Sequence, residues 1–251
     1  MPPNNLYEPY AYGHVQLIVR ANATQGYGLW DRGIVREIHN AYPWDLITQY
    51  LPPNTRLVVD LGAHIGAFSL RAHHDFPSAI YLAVEPEPDN FALLHRNLAW
   101  NKTPIKAYCC HRWVGRLEDG ETAFLQLAPG RSGSHRITRT PTPTPAPPPI
   151  SLAELLHHTN TVPGDYALLK LDIEGGEWDF FRNTPPFLIA AFGVIVGEHH
   201  GPLDRFTTEI QYCEGLQNHV IMHHNYRAQW ELGIFAAVKK TLLPPHEGDM
   251  L

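Results

Sequence analysis

Lysine and arginine are in short supply in this chain, 19 against 25 aspartates and glutamates, giving a formal net charge of -6 over 251 residues. Without a basic surplus little would draw a polyphosphate backbone onto the surface, so nucleic acid is not the expected partner. Cysteine is scarcer still: there are three, and Cys109 and Cys110 are adjacent. A disulfide framework is therefore excluded and a reducing cytoplasm is expected. Long apolar runs are missing, none approaching the roughly 20 residues that cross a bilayer. The opening "MPPNNLYEPY" carries neither the basic nor the apolar region of a secretory leader. No membrane association is expected, and no repeat of solenoid period is present. What remains is 44% apolar and 18% charged, an ordinary domain long enough to bury a substantial core.

The chain divides in two. Residues 1–55 are rich in aromatics (Tyr7, Tyr10, Tyr12, Tyr27, Trp30, Tyr42, Trp44), with loose helical spacing at Ile34, Ile38 and Tyr42 broken by Pro43. They are expected to form a lid over the site or an arm packed across the domain of residues 56–251. In that domain apolar strands alternate with helices: "RLVVDLG" then "GAFSLRAHHDF", "AIYLAVE" then "FALLHRNLAWN", then "IKAYCCH". Asp89 or Asn90 is the expected cap of the second helix. Such alternation predicts an α/β fold, a mostly parallel sheet with helices on both faces. "RLEDGETAFLQL" reads as a hairpin turning at Asp119 and Gly120. "TPTPTPAPPP" (140–149) reads as an exposed, replaceable connector. Ser151 and Glu154 form a capping box ahead of "LAELLHH", and the end reads as two strands closing the sheet.

"VVDLGAHIGAF" (58–68) places Asp60 at the exit of a buried strand and strips the following turn to Gly62 and Gly66. In open α/β sheets ligands lie beyond the carboxyl ends of the strands, and bare glycines let the backbone come close to them. A pyrophosphate fingerprint would need Gly-x-Gly-x-x-Gly, but His64 and Ala67 stand at its second and third glycines. Glu85 ends the next strand. One acid for an ammonium group and one for a ribose diol suit S-adenosylmethionine.

In this order, "VVDLGAHIGAFSL", "AVEPEPDNFALLHRNL" and "LLKLDIEGGEWDFF" resemble the FkbM-type family of S-adenosylmethionine-dependent methyltransferases, over about residues 27–240. The resemblance implies the class I methyltransferase (Rossmann-like) fold, a seven-stranded sheet with an antiparallel last strand. It implies that Asp60, Gly62, Ala63, His64 and Gly66 line the methionine end of the cofactor. Glu85, followed by Pro86, would take the ribose hydroxyls, with Trp113 near the adenine. His64 departs from the small amide common at that position.

At the reacting end, "KLDIEGGE" sets Lys170, Asp172 and Glu174 on one face of an extended strand, and "GEHH" ends the next strand with Glu198, His199 and His200. His199 is expected to accept the acceptor's proton, with Asp172 as its neighbour and as a cofactor contact, and Lys170 and Glu174 beside them. No metal is required by this reading; the alternative is a divalent cation held by Asp172, Glu174 and His199. "NTPPF" (183–187) is read as a helix stop, not as an amide methyltransferase motif. The leading expectation is O-methylation of a small-molecule, sugar or lipid-linked hydroxyl. N-methylation of an amide or amine, for instance on a peptide, and a methyltransferase-like binding module without turnover are the alternatives.

Overall fold

The computed structural model describes residues 6–21, 26–100 and 105–244; residues 1–5, where the stretch read for a leader begins, lie outside it. An antiparallel hairpin, β1 (Tyr7–Tyr12) and β2 (Val15–Arg20), precedes α1 (Tyr27–Asn40) and α2 (Trp44–Tyr50). Pro43 falls between the two helices, where a residue without an N–H is tolerated. The alternating region follows as β3 (Leu57–Leu61), α3 (Ala67–Asp75), β4 (Ile80–Val84), α4 (Pro88–Trp100) and β5 (Lys106–Cys110). An insertion then carries the short strands β6 (Trp113–Val114), β7 (Phe124–Gln126), β8 (Arg136–Thr138) and β9 (Pro149–Ile150). The chain returns through α5 (Leu152–Thr159), β10 (Ala167–Leu171), α6 (Glu177–Asn183), α7 (Pro186–Ala190) and β11 (Val194–His200), and ends on β12 (His219–Arg227) and β13 (Leu232–Lys239).

Seven strands form one sheet in the order β12-β13-β11-β10-β3-β4-β5. Neighbours are parallel except that β13 runs against both β11 and β12. This is the class I arrangement that the resemblance implies. Crossovers leave β3 in both directions, so a cleft opens beyond the carboxyl ends of β3 and β10, where such folds bind ligands. Alternate residues of each central strand enter opposite cores, which is why these strands read as unbroken apolar runs. On one face Leu17, Val35, Ile47, Phe68 and Leu94 pack against Val58, Leu168 and Val196. On the other, Leu155, Phe181 and Ile189 pack against Leu169, Leu171 and Phe235.

The amino-terminal segment shares the first of these cores. Asn97, fully buried on α4, receives the Ile18 N–H on its side-chain oxygen at 2.6 Å and donates to the Ile18 and Ile65 carbonyls at 3.0 and 2.8 Å. The capping box of α5 forms as expected, Ser151 Oγ accepting from the Glu154 amide at 3.1 Å. The cap of α4 does not: Glu87, not Asp89 or Asn90, accepts the free Asn90 amide at 2.6 Å.

Two expectations for the insertion are corrected. The residues around Asp119 and Gly120 form a turn, but β7 pairs with β8 across 127–135, Leu125 opposite Ile137, because the buried residues of this segment, Ala123 and Leu125, lie beyond that turn. The proline tract is exposed at Pro141, Pro143, Pro145 and Pro148, as read, but it is not a free-standing connector. It runs along the free edge of β7, the Leu125 amide donating to the Thr144 carbonyl at 2.9 Å and the Ala146 amide to the Ala123 carbonyl at 3.1 Å. Pro145 sits opposite Phe124 with its ring nitrogen turned away from the ladder, so the Thr-Pro alternation leaves an N–H where the edge needs one. Replacing residues 142–147 with Gly/Ser of equal length is expected to cost about 1–3 kcal/mol, since each lost proline frees the unfolded chain by about 0.4–1 kcal/mol. Thermal unfolding measures it, and an unchanged midpoint would contradict the docking.

Candidate functional site

A cavity of about 1190 Å³ opens beyond the carboxyl ends of β3, β4, β10 and β11. Its walls come from α1 (Trp30, Ile34, Glu37, Ile38), the β3–α3 turn, the insertion and the ends of β10 and β11. Its volume exceeds the ~300–1,000 Å³ usual for one small ligand, leaving room for two reactants.

The β3–α3 turn forms one shoulder. Gly62 has φ +78, and a Cβ there would stand 1.7 Å from the Asp172 carbonyl oxygen; the glycine exists to let the ends of β3 and β10 come together. The turn's amides do not face the cavity as expected. Gly62 and Ala63 donate to the Val84 carbonyl at 3.0 and 2.9 Å, and His64 donates to Glu85 Oε2 at 2.8 Å. His64, with φ +50, lines the cavity. Its ring is buried, both nitrogens lack a hydrogen-bond partner among the described residues, and burial holds its pKa well below the usual value, which favours the neutral ring.

Glu85 and Pro86 line the cavity as expected, and Trp113 borders it with an unpartnered indole N–H beneath the Arg139 guanidinium, 5.2 Å from the ring centre. Burial raises the Glu85 carboxyl to about 7, against the Glu87 and His64 amides that favour its charge. Asp60, Ala63, Gly66 and Lys170 are not among the lining residues. Asp60 is fully buried, accepting from Ser69 Oγ at 2.7 Å and lying 3.3 Å from Lys170 Nζ. Lys170 donates to the Gly62 carbonyl at 2.6 Å and lies 3.5 Å from Asp172. Burial works against its charge, but Asp60 and Asp172 outweigh it and keep its pKa above the ordinary lysine value. This pair holds the turn from below and meets the cavity only through the lining residues Gly62 and Asp172.

The reacting end departs most from the sequence reading. Asp172 and Glu174 both line the cavity, but through a turn: Glu174 has φ +54, so strand alternation stops before it. Glu177, fully buried, fixes that turn by accepting the Ile173 and Gly175 amides at 2.9 and 3.0 Å. The histidine beside them is His200, not His199. In β11 the even residues Val196, Glu198 and His200 share the face of Lys170, which Val196 neighbours in register, and His199 must point the other way. Its ring is fully buried against Phe206, 4.5 Å between centroids, with Nε2 at 2.9 Å from His224 Nε2 and Gly233 leaving the space it fills. Burial lowers it to about 4. His200 meets Glu177 Oε1 at 3.3 Å through Nδ1, and Glu174 and Glu198 at 3.4 and 3.8 Å through Nε2. Burial opposes its charge, yet Glu177, Glu174 and Asp172 hold it up to about 10. Burial likewise raises Glu174, to about 8, and Glu198.

The sequence reading also missed a polar chain on the opposite wall. Arg20 Nη1 donates to Asp31 at 2.8 Å, Ser132 Oγ to the same carboxylate at 2.7 Å, and Arg20 Nη2 to Asn90 at 2.6 Å. It ties β2, α1, the insertion and α4 together around His64, whose Nε2 lies 3.7 Å from Asp31. The signal was Asp31 in "YGLWDRG", an acid on the apolar face of α1.

No helix among the described residues is long and apolar enough to cross a membrane. The chain is 30% identical over 150 residues to Methyltransferase 1 of Beauveria bassiana (strain ARSEF 2860), covering 52% of this chain and 59% of that protein. It is 40% identical over 79 residues to Methyltransferase sdnD of Sordaria araneosa, covering 31% and 29% respectively. The chain thus spans well under two thirds of either relative. Among solved structures, one from Streptococcus mutans assigned as a SAM-dependent methyltransferase superposes with a TM-score of 0.51 at 11% identity, over 93% of this chain and 55% of that one, and shares the fold. The model of the methyltransferase FkbM domain matches residues 60–227, most of the chain and both ends of the cavity, and the chain belongs to the FkbM methyltransferase family.

Proposed function

We propose that this methyltransferase, with S-adenosylmethionine as donor, O-methylates a hydroxyl of a small-molecule acceptor. Support for the donor comes from an acid at the end of β4, a neutral imidazole and an indole N–H that border one space, the last two without a hydrogen-bond partner among the described residues. In this reading Glu85 takes the ribose diol, His64 the polar methionine end, and Trp113 the base. When bound, the cofactor supplies a methyl group on a cationic sulfur. The observation that carries the acceptor class is the opposite end, where Asp172, Glu174, Glu198 and His200 converge. Carboxylates there can take a hydroxyl's proton as its oxygen attacks. An amine in the same place would be held as ammonium, with no lone pair to offer, which disfavours the amine branch of the N-methyl reading. In this reading α1 closes the acceptor side.

The test is to incubate the protein with isotope-labelled donor and a matched panel of hydroxyl and amine acceptors, and to locate the label in the product by NMR. Methoxy products are expected; label on nitrogen alone overturns the proposal.

Glu85 gives the donor site a pH dependence. Ribose hydroxyls donate to the ionised carboxyl, so binding releases a proton wherever the pH lies below about 7. Affinity for S-adenosylhomocysteine should therefore rise about tenfold between pH 6 and pH 8, as the ionised fraction climbs from about 0.1 to about 0.9. Calorimetry should show that rise in the wild type and a flat profile in Glu85→Gln. A flat wild-type profile would take Glu85 out of the donor site.

A further inference from the structure

We propose that Asp172, Glu174 and His200, with Glu198 behind them, bind a divalent cation of the Mg²⁺/Mn²⁺ class. One ligand atom from each of the first three lies within 4.8 Å of the others. Ligands of one six-coordinate ion stand about 3–4.3 Å apart, a spacing that small side-chain rotations reach from here.

Two features go beyond the cluster. The first is Glu198, 7% exposed and lining the cavity. Among the described residues no hydrogen-bond donor reaches its carboxylate, whose one ion-pair partner is His200 at 3.8 Å. A carboxylate so buried costs several kcal/mol unless a positive charge meets it. The neighbouring cations are taken up elsewhere: Lys170 pairs with Asp60 and Asp172 and donates to the Gly62 carbonyl, Arg227 approaches Glu37, at 4.0 Å, and His200 is shared with Glu174 and Glu177, both nearer to it than Glu198. The second is the orientation of His200. Its Nδ1 faces buried Glu177, itself fixed by two backbone amides, and its Nε2 faces Glu174 and Glu198. Metal-binding histidines are commonly oriented this way, with a carboxylate behind the ring. Carboxylates with one imidazole and no thiolate suit a hard or borderline ion.

A cation here would anchor an acceptor oxygen beside the donor and favour its deprotonation, which deepens the O-methylation reading and rests on it for its catalytic meaning. Binding releases the Nε2 proton of His200 to solvent and needs neither reactant. Full-length protein is stripped with EDTA, dialysed and titrated with MnCl₂ while the EPR signal of free Mn²⁺ is followed. One equivalent should be taken up, and the melting temperature should rise with it. Asp172→Asn and His200→Gln should each weaken uptake at least tenfold, with folding checked by circular dichroism. In the wild type, bound Mn²⁺ should broaden the ring resonances of His200 and spare those of His219, at the far end of the sheet. This readout needs no variant to fold. Failure of the wild type to take up Mn²⁺, uptake that both variants retain, or unbroadened His200 resonances each overturn the site. Mn²⁺ bound as described by a protein that methylates only nitrogen would leave the site standing and remove the O-methylation reading instead.

Discussion

Replacing Lys170 with methionine is expected to remove about 3–5 kcal/mol of folding stability, a large share of the ~5–15 kcal/mol a domain has. The side chain is 2% exposed, and among the described residues it is the one cation at Asp60, which keeps only the Ser69 hydroxyl of them once Nζ is gone. The Gly62 carbonyl loses its 2.6 Å donor at the same time, so the turn bordering the cavity loosens as the core weakens. Methionine fills most of the volume, so the loss reports charge and not a void. Asp60→Asn in the Lys170→Met background should return part of the stability, because it removes the orphaned charge. Urea unfolding of the wild type, the single variants and the double variant closes the cycle. A single-variant loss below about 1 kcal/mol with no rescue would mean that the pair is not what holds the turn.

Exchanging the two adjacent histidines should separate chemistry from packing. His200→Ala is expected to lower turnover by about 10²-fold or more, the scale of a lost acid–base or ligand group at a reacting centre. Affinity for S-adenosylhomocysteine, proposed to depend on Glu85 at the other end of the cavity, should hardly change. His199→Ala should do the reverse. Its ring is fully buried between Phe206, His224 and Tyr226, so truncation leaves a cavity worth about 3 kcal/mol. Turnover per folded molecule should stay within a few-fold of wild type. Turnover that collapses in His199→Ala and survives in His200→Ala would return the proton-accepting role to the residue favoured by sequence.

The frame was legible because its signals are local. Apolar runs ending in Asp60 and Glu85, turns emptied to glycine and a capping box at Ser151 each depend on neighbours within a few residues. The placing of Gly62, His64, Glu85 and Pro86 along one cavity followed, since β3 and β4 are adjacent in sequence and space. What the sequence hid depends on register and on distant partners. His199 and His200 differ by one position, and only the pairing of Lys170 with Val196 says which of them faces the cleft. Asp60 read as a ligand for an ammonium because nothing nearby in sequence shows that Lys170 occupies it. The alternation of "KLDIEGGE" suggested one face for three charges, but the left-handed backbone at Glu174 ends the strand and regroups them. The Thr-Pro tract read as a spacer because its partner, β7, lies some 20 residues earlier, counting from Phe124 to Thr144.

The polar chain around Arg20 also governs the order in which the chain can finish folding. Ile18 is tied to Asn97 across 79 positions, Arg20 to Asn90 across 70, and Asp31 to Ser132 across 101. The amino-terminal arm therefore leaves the ribosome ahead of the insertion and cannot complete its contacts until the insertion has been made. Loops of that span close slowly, since their entropy is lost before any contact rewards it. The cavity wall is thus a late product of synthesis: a nascent chain halted before Ser132 would carry the β3–α3 turn with one side still open, and a chain lacking the arm would leave the side-chain oxygens of Asn97 and Asn90 without the Ile18 and Arg20 donors.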